Sequence, residues 1–478
     1  MTYPPLSFFI GGDWMVGSGD AGEDVIDPAT EEVIGRLPHA APSDIDRAIE
    51  AARRGFEIWK GTQAGVRRRF LLRVAQGLAA RKSEIAEVMT LEQGKTLLEA
   101  GLEMDRAVET FEWYADEAVR VYGRTYPERI PGVRNAVRPQ PVGVVAALSP
   151  WNFPAFLPAR KLAPALAAGC SVILKAAEET PGTAILMMQV LEEAGLPPGV
   201  ANLIYGVPAE VSERLLASPV IRKVSFTGSV PIGKLLARLA SNNLQRCTLE
   251  LGGHSPLIVF DDADLTATIS AAAAFKYRNA GQVCITPNRF YVHEAKYDEF
   301  VEGFAALARQ VKVGNGRHEG VAMGPLANRR RLDAMERFVS DAEERGARVI
   351  TGGKRIGNRG FFWEPTVLAD VPDDALVMRE EPFGPIAPIA PFTDVEEVLA
   401  RANSLGYGLA AYVYTGSVER AHVMAEGLEA GTVGINHMSP AHADIPMGGV
   451  KESGYGYEGG HEGLEAFLIY KHVAEALS

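Results

Sequence analysis

The chain is poor in cysteine, has no excess of positive charge and carries no long apolar run. Each shortage closes off a class of function. Its 478 residues include three cysteines, Cys170, Cys247 and Cys284. They are odd in number and widely spaced, with no C-x-x-C pair and no His/Cys cluster, so neither a disulfide framework nor a zinc site is suggested. A reducing compartment, the cytoplasm, suits such a chain. Lys and Arg total 48 against 60 Asp and Glu, a formal charge of −12. That balance argues against nucleic-acid or anionic-membrane partners. No uninterrupted apolar run reaches the roughly 18–20 residues that a membrane helix needs. The opening MTYPPLSFFIGGDW lacks the basic-then-apolar order of a signal peptide. Internal repeats and low-complexity linkers are missing too. What is present is 47% hydrophobic and 23% charged. That is ordinary globular composition in a chain long enough for two or three domains.

Periodicity supplies the elements. In SDIDRAIEAARRGFEIWK (43–60), Ile45, Ala48, Ile49, Ala52, Phe56 and Trp59 form one helical stripe, with Ser43 and Asp46 suited to its start. A long amphipathic helical stretch is expected over 65–118. From 142 onward strands and helices alternate. VGVVAAL (142–148), SVILK (171–175), ANLIY (201–205) and KVSF (223–226) read as strands, with helices near 157–168, 182–194 and 209–218. This alternation predicts an α/β fold with a parallel sheet able to hold a nucleotide. After 250–260 a second α/β segment follows, with NRFYVH (288–293) as a strand and helices near 295–312, 328–346 and 395–404. Residues 119–141, rich in Arg and Pro, read as extended ribbon between domains.

Two local stretches bear on chemistry. SFTGSVPIGK (225–234) follows a strand and opens a helix. Pro231 suits the first helical turn, Gly228 permits close approach, and a helix N-terminus offers N–H groups to a pyrophosphate. An ordinary strand-to-helix turn has the same composition. Lys175 and Glu178, in ILKAAEETP, end a neighbouring strand where ribose hydroxyls could be held, or are simply solvated charges. In NAGQVC (279–284), Cys284 is either a core thiol or a nucleophile, and composition favours the core.

SPWNFP (149–154), ELGGHSP (250–256), NAGQVC and EEPFGP (380–385) occur in an order that resembles the aldehyde dehydrogenase superfamily. The likeness runs from FIGGDW (9–14) to GGVKESGYG (448–456). It implies a Rossmann-type NAD(P)-binding domain over 1–118 and 142–251 and an α/β catalytic domain over 252–435. It also implies an oligomerisation element over 119–141 and 463–478, and hence a homodimer or homotetramer. By the same resemblance, Cys284 is the nucleophile, the Asn152 side-chain amide the oxyanion donor and Glu250 the general base. An aldehyde carbon bears no hydride-donating alkoxide until a thiolate has added to it, which is why that chemistry needs a soft nucleophile, an oxyanion site and a base. The implied cofactor contacts are Trp151, Lys175, Glu178, Phe226, Gly228, Ser229, Gly233, Glu381 and Phe383. Glu178 would accept ribose hydroxyls and repel a 2′-phosphate, which favours NAD while leaving NADP possible. Glu458, in GYGYEGG, matches a second acid/base residue.

Arg160 and Arg278 resemble the pair that holds the substrate carboxylate in succinate-semialdehyde and 2-oxoglutarate-semialdehyde dehydrogenases. A planar guanidinium pairs bidentately with a carboxylate and stays charged. His442 stands where those relatives often carry Ser, which makes it the third substrate contact to expect. Ala176, Val230 and Met447 also depart from the usual pattern, and Thr286 replaces a second cysteine seen in some relatives. The function expected is oxidation of a short ω-carboxylated aldehyde through a Cys284 thioester. The alternatives are an aldehyde dehydrogenase for neutral or aromatic aldehydes, a thiol hydrolase, and a binding or structural protein retaining the fold.

Overall fold

The computed structural model describes residues 3–19, 21–438 and 441–476. Helix Pro42–Trp59 begins one residue earlier than its stripe suggested. Pro42 needs no N–H partner in the first turn, and the Asp44 carboxylate accepts the Ala41 N–H at 3.0 Å. The expected long helical stretch is three helices, Ala64–Ala80, Lys82–Gln93 and Leu97–Glu117. Gly94 ends the second at φ +96, a left-handed cap that a side chain resists. Thr96 and Glu99 then cap the third reciprocally, Thr96 Oγ1 accepting from the Glu99 N–H and Glu99 Oε2 from the Thr96 N–H.

Among the described residues the strands form two large sheets and two small ones. The first large sheet has eight strands, ordered 454–455, 246–250, 221–227, 144–148, 171–175, 201–204, 8–10 and 13–15. Its five central strands run parallel. Val144–Leu148 and Ser171–Lys175 are buried throughout, as strands covered by helices on both faces must be. The chain builds from 144–148 outward in one direction, then returns to place 221–227 on the other flank. This reversal opens a crevice beyond the carboxyl ends of those two strands.

The second sheet has seven strands, with Pro287–His293 and Ser255–Val259 at its centre. Each large sheet has its own apolar core. A three-stranded ribbon joins Arg124–Tyr126, Val133–Pro141 and Leu468–Ala476. Among the described residues no helix is long and apolar enough to cross a membrane.

Candidate active site

Cys284 sits just before strand Pro287–His293, on a loop that the chain reaches through an unusual bend. Asn279 and Ala280 are both left-handed, at φ +50 and +53, which costs non-glycine residues energy. Hydrogen bonds hold the bend. The Asn279 N–H donates to Glu99 Oε1 at 2.6 Å, and the Asn279 side-chain amide donates to the Asn152 carbonyl at 2.9 Å. Asn152 in turn donates one side-chain N–H to the Gln282 carbonyl at 3.1 Å, leaving the second for another acceptor. The Asn152 turn is supported from beneath. Lys95 donates to the Asn152 carbonyl, and the Glu103 carboxylate accepts the Ala155 and Phe156 N–H groups while pairing with Lys95.

Two cavities meet at the thiol. The first, of about 550 Å³, fills the crevice at the sheet's switch point. It is lined by Trp151, Asn152, Gly228, Ser229, Glu250, Cys284, Glu381 and Phe383. The second is narrower, and it shares Thr227, Glu250, Leu251 and Cys284 with the first. Burial pushes the Cys284 thiol up to about 12, with Glu381 and Glu250 adding to the effect and Arg160 opposing it. Burial also raises the Glu250 carboxyl well above its ordinary value, and the neighbouring Glu458 raises it further. Glu250 Oε1 is buried without a hydrogen-bond partner.

Behind Glu250 lies a buried ionic network. Lys161 Nζ pairs with Glu458 Oε1 at 2.5 Å and donates to Thr227 Oγ1 at 2.8 Å. Arg160 Nε pairs with Glu458 Oε2 at 3.2 Å. Glu458 is itself fixed by paired backbone bonds with Met447.

The first cavity suits a dinucleotide. Helix Val230–Ser241 starts at Ser229 with no side-chain cap, so its first N–H groups face an unfilled need for an acceptor. Arg331 lines the same cavity with its Nε buried and unpartnered, and burial holds this guanidinium down to about 10. Both are suited to an anionic diphosphate. The Glu381 carboxylate accepts the Gly253 N–H at 3.1 Å and is pushed up to about 7 by burial. The Phe383 ring meets Trp151 edge-on at 5.5 Å between centroids.

Five expected residues are not among the lining of either cavity. Phe226 packs beneath the turn, where a Cβ on Gly228 would come 2.3 Å from its ring, so it shapes the glycine turn from behind. Gly233 lets its helix lie against Leu251, which a Cβ would meet at 2.5 Å. Lys175 and Glu178 end their strand outside both linings and pair with each other. His442 is exposed. Its neighbours Ala441 and Ala443 are buried, and Ala441 and Met447 line the second cavity, which the histidine does not.

Sequence reasoning missed Arg331, Lys161 and Arg106. Arg106, from helix Leu97–Glu117, lines the second cavity beside Arg160 and Arg278. Its only signal in the sequence was its place on the inward stripe of a helix otherwise lined with apolar and acidic residues.

The aldehyde dehydrogenase family matches residues 14–473. The chain is 47% identical to the 4-(hydroxymethyl)benzenesulfonate dehydrogenase of Comamonas testosteroni, over 99% of this chain and 98% of that one. It is 42% identical to the glutarate-semialdehyde dehydrogenase of Pseudomonas putida, over 97% and 96%. The crystal structure of succinate-semialdehyde dehydrogenase from Burkholderia pseudomallei superimposes with a TM-score of 0.97 at 42% identity, over 99% of this chain and 98% of that one. With a thiol, a carboxyl group and a dinucleotide-shaped crevice converging on one point, the chain belongs to the aldehyde dehydrogenase family and is an NAD(P)-dependent enzyme of that kind.

Proposed function

We propose that the enzyme oxidises short aldehydes carrying a terminal anion, ω-carboxylated aldehydes of the succinate-semialdehyde type first among them. The observation that carries this reading is the lining of the second cavity. Three guanidiniums, Arg106, Arg160 and Arg278, surround a channel that ends on Cys284. The relatives agree with an anionic substrate, since one name carries a sulfonate and another a semialdehyde acid. The Phe153 and Phe156 rings on the same wall favour a second reading, an aromatic spacer between aldehyde and anion.

In this reading Cys284 adds to the carbonyl carbon, and the free Asn152 side-chain N–H with the Cys284 backbone N–H receives the oxyanion. Glu250 takes up the proton that addition releases, since its raised pKa makes its ionised form a strong base. A bound nicotinamide dinucleotide supplies the hydride acceptor that turns the adduct into a thioester. Glu250 passes that proton to solvent through the cavity, then deprotonates the water that hydrolyses the thioester with Cys284 as the leaving thiolate, and the Lys161–Glu458 network behind it holds the local charge balance. NAD is the preferred acceptor, because the Lys175 ammonium is already taken by Glu178 and a 2′-phosphate would have to displace that carboxylate. We assign residues 1–118 and 142–251 to cofactor binding, 252–435 to catalysis, and the ribbon to assembly of a cytoplasmic homo-oligomer.

A steady-state panel tests this. Succinate semialdehyde is compared with butanal, and 4-carboxybenzaldehyde with benzaldehyde, each with NAD and with NADP. The expected outcome is a kcat/KM at least tenfold higher for the acid of each pair. Equal values for acid and neutral partners would remove the anionic-substrate reading.

A further inference from the structure

We infer that Asn315 is a modification site. Its side-chain amide is lost as ammonia after attack by the Gly316 backbone nitrogen, and the isoaspartyl link that results loosens the Asn152 turn and slows catalysis. This stands apart from the anionic-aldehyde reading and holds for any aldehyde the enzyme oxidises.

The chain holds one Asn-Gly pair, Asn315–Gly316. It lies in the bend between helices Tyr297–Gln310 and Arg329–Glu344. Asn315 is half-buried, and the tip that follows it, Arg317 to Gly320, is exposed. Asn315 Oδ1 accepts the Arg317 N–H at 3.0 Å. That contact folds the side chain back over its own main chain. It also draws electron density from Cγ and stabilises the oxyanion that forms when Cγ is attacked. The attacking atom is available, because the Gly316 N–H donates to no backbone carbonyl among the described residues. Gly316 has no Cβ to crowd the approach. The Gly316 nitrogen gives its proton to a solvent base and bonds to Asn315 Cγ. The Cγ–Nδ2 bond breaks, ammonia leaves with a proton from solvent, and a five-membered succinimide closes. Water then opens that ring at either carbonyl. One product is aspartate, and the other is isoaspartate, in which the chain runs through Cβ and Cγ. One water enters and one ammonia leaves, with no oxidant or reductant involved.

The fold leaves no slack for the second product. An isoaspartyl link lengthens the main chain by one methylene, about 1.5 Å. On one side Gly314 is tied, its N–H donating to the Met323 carbonyl at 3.1 Å. On the other side the Gly316 carbonyl accepts the Leu97 N–H at 3.0 Å. Only Asn315 lies between these anchors. Gly316 cannot shift inward, since even a Cβ there would come 2.4 Å from the Lys95 carbonyl. The added length therefore pushes Gly316 off the first turn of helix Leu97–Glu117. Two residues before Leu97, the Lys95 ammonium donates to the Asn152 carbonyl at 2.8 Å. Displacement at Leu97 thus reaches the oxyanion turn through Thr96 and Lys95.

The test ages wild-type and Asn315→Gln enzymes at pH 8.5 and 37 °C. Samples are withdrawn for peptide mass mapping, isoaspartate detection by enzymatic methylation, and kcat. Glutamine cannot close the five-membered ring, so the variant is the unreactive control. NADH binding followed by fluorescence at time zero checks its fold. The wild type is expected to show the amide-to-acid mass gain and isoaspartate in the peptide spanning Asn315, with kcat falling as the isoaspartate fraction rises. Asn315→Gln is expected to keep its kcat over the same interval. Treatment of the aged wild type with an isoaspartyl methyltransferase and S-adenosylmethionine is expected to restore kcat, because repair returns the normal link. This arm decides the question without any variant. Asn315→Asp, made with the normal link, is expected to start at the wild-type kcat, which separates the new charge from the added length. Aged wild type without isoaspartate at 315 removes the site. Isoaspartate there with kcat unchanged, no recovery on repair, or an equal loss in Asn315→Gln removes its link to catalysis. A kcat in fresh Asn315→Asp as low as in aged wild type overturns the lengthening argument.

Discussion

At neutral pH a thiol pushed up to about 12 is protonated, so Cys284 waits as a poor nucleophile until a proton acceptor or a positive charge arrives. The cause is residue-level and explicit: burial first, then the carboxyl groups of Glu381 and Glu250. The sign follows directly. Far below its pKa the thiolate fraction grows about tenfold per pH unit, so alkylation by iodoacetamide should accelerate about tenfold per unit between pH 7 and 9 in the cofactor-free enzyme. Stopped samples assayed for residual activity give the rates. A plateau below pH 8.5 would show that the thiolate is already formed and that the buried carboxyl groups do not govern it. Addition of NAD should raise the rate at fixed pH, because the nicotinamide ring brings positive charge to the first cavity.

At the scale of an element, helix Leu97–Glu117 does more for the site than its sequence suggests. Glu99, Glu103 and Arg106 follow one another at spacings of four and three, which places them on one face. Glu99 holds the bend before Cys284, Glu103 holds the turn of Asn152, and Arg106 reaches the Ala441 loop. One rigid element thus registers the nucleophile loop against the oxyanion donor. Glu103→Gln leaves the buried Lys95 ammonium without its carboxylate, a loss worth about 3–5 kcal/mol of stability. A lower Tm is expected, together with a fall in kcat that exceeds any rise in KM, since the Asn152 turn loosens. An unchanged Tm and kcat would reduce Glu103 to a bystander. The two-turn spacing was invisible in the amphipathic pattern, which read 65–118 as a long helical stretch without placing the breaks at Arg81 and Gly94.

For the whole molecule, both cavities are lined by residues from the two halves of the chain, Thr227 and Glu250 with Cys284, so their alignment depends on everything that fixes that relation. The last strand, Leu468–Ala476, pairs antiparallel with Val133–Pro141 along nine residues, from Leu468 against Pro141 to Ala476 against Val133. Arg124–Tyr126 covers the other edge. The edge of Leu468–Ala476 away from Val133–Pro141 has no strand beside it among the described residues. In the homo-oligomer proposed above, removal of residues 468–478 is expected to lower the molar mass in light scattering to that of a single chain. A truncated enzyme that keeps the wild-type mass would place the assembly surface elsewhere.

The sequence by itself determined the elements and the chemistry they can carry. Alternating apolar strands and helices, a glycine turn between strand and helix and a thiol beyond NAGQV are local patterns, and local backbone preferences suffice to express them. The resemblance pointed to Cys284, Glu250 and Asn152 as one set, and all three line the first cavity. Only the tertiary structure decided what each charged group faces. Arg160 and Arg278 look alike in sequence, yet one is bound by Glu458, 298 residues away along the chain, and the other makes no ion pair among the described residues, its Nε buried and unpartnered. Arg106 carries no motif at all. Phe226 and Gly233, flanking the cofactor turn, shape it by packing and stay out of its lining. The reason is physical: a helix or strand is written by neighbours within a few residues. The partner of a buried charge is chosen through space, by whichever distant side chain the fold brings within about 4 Å.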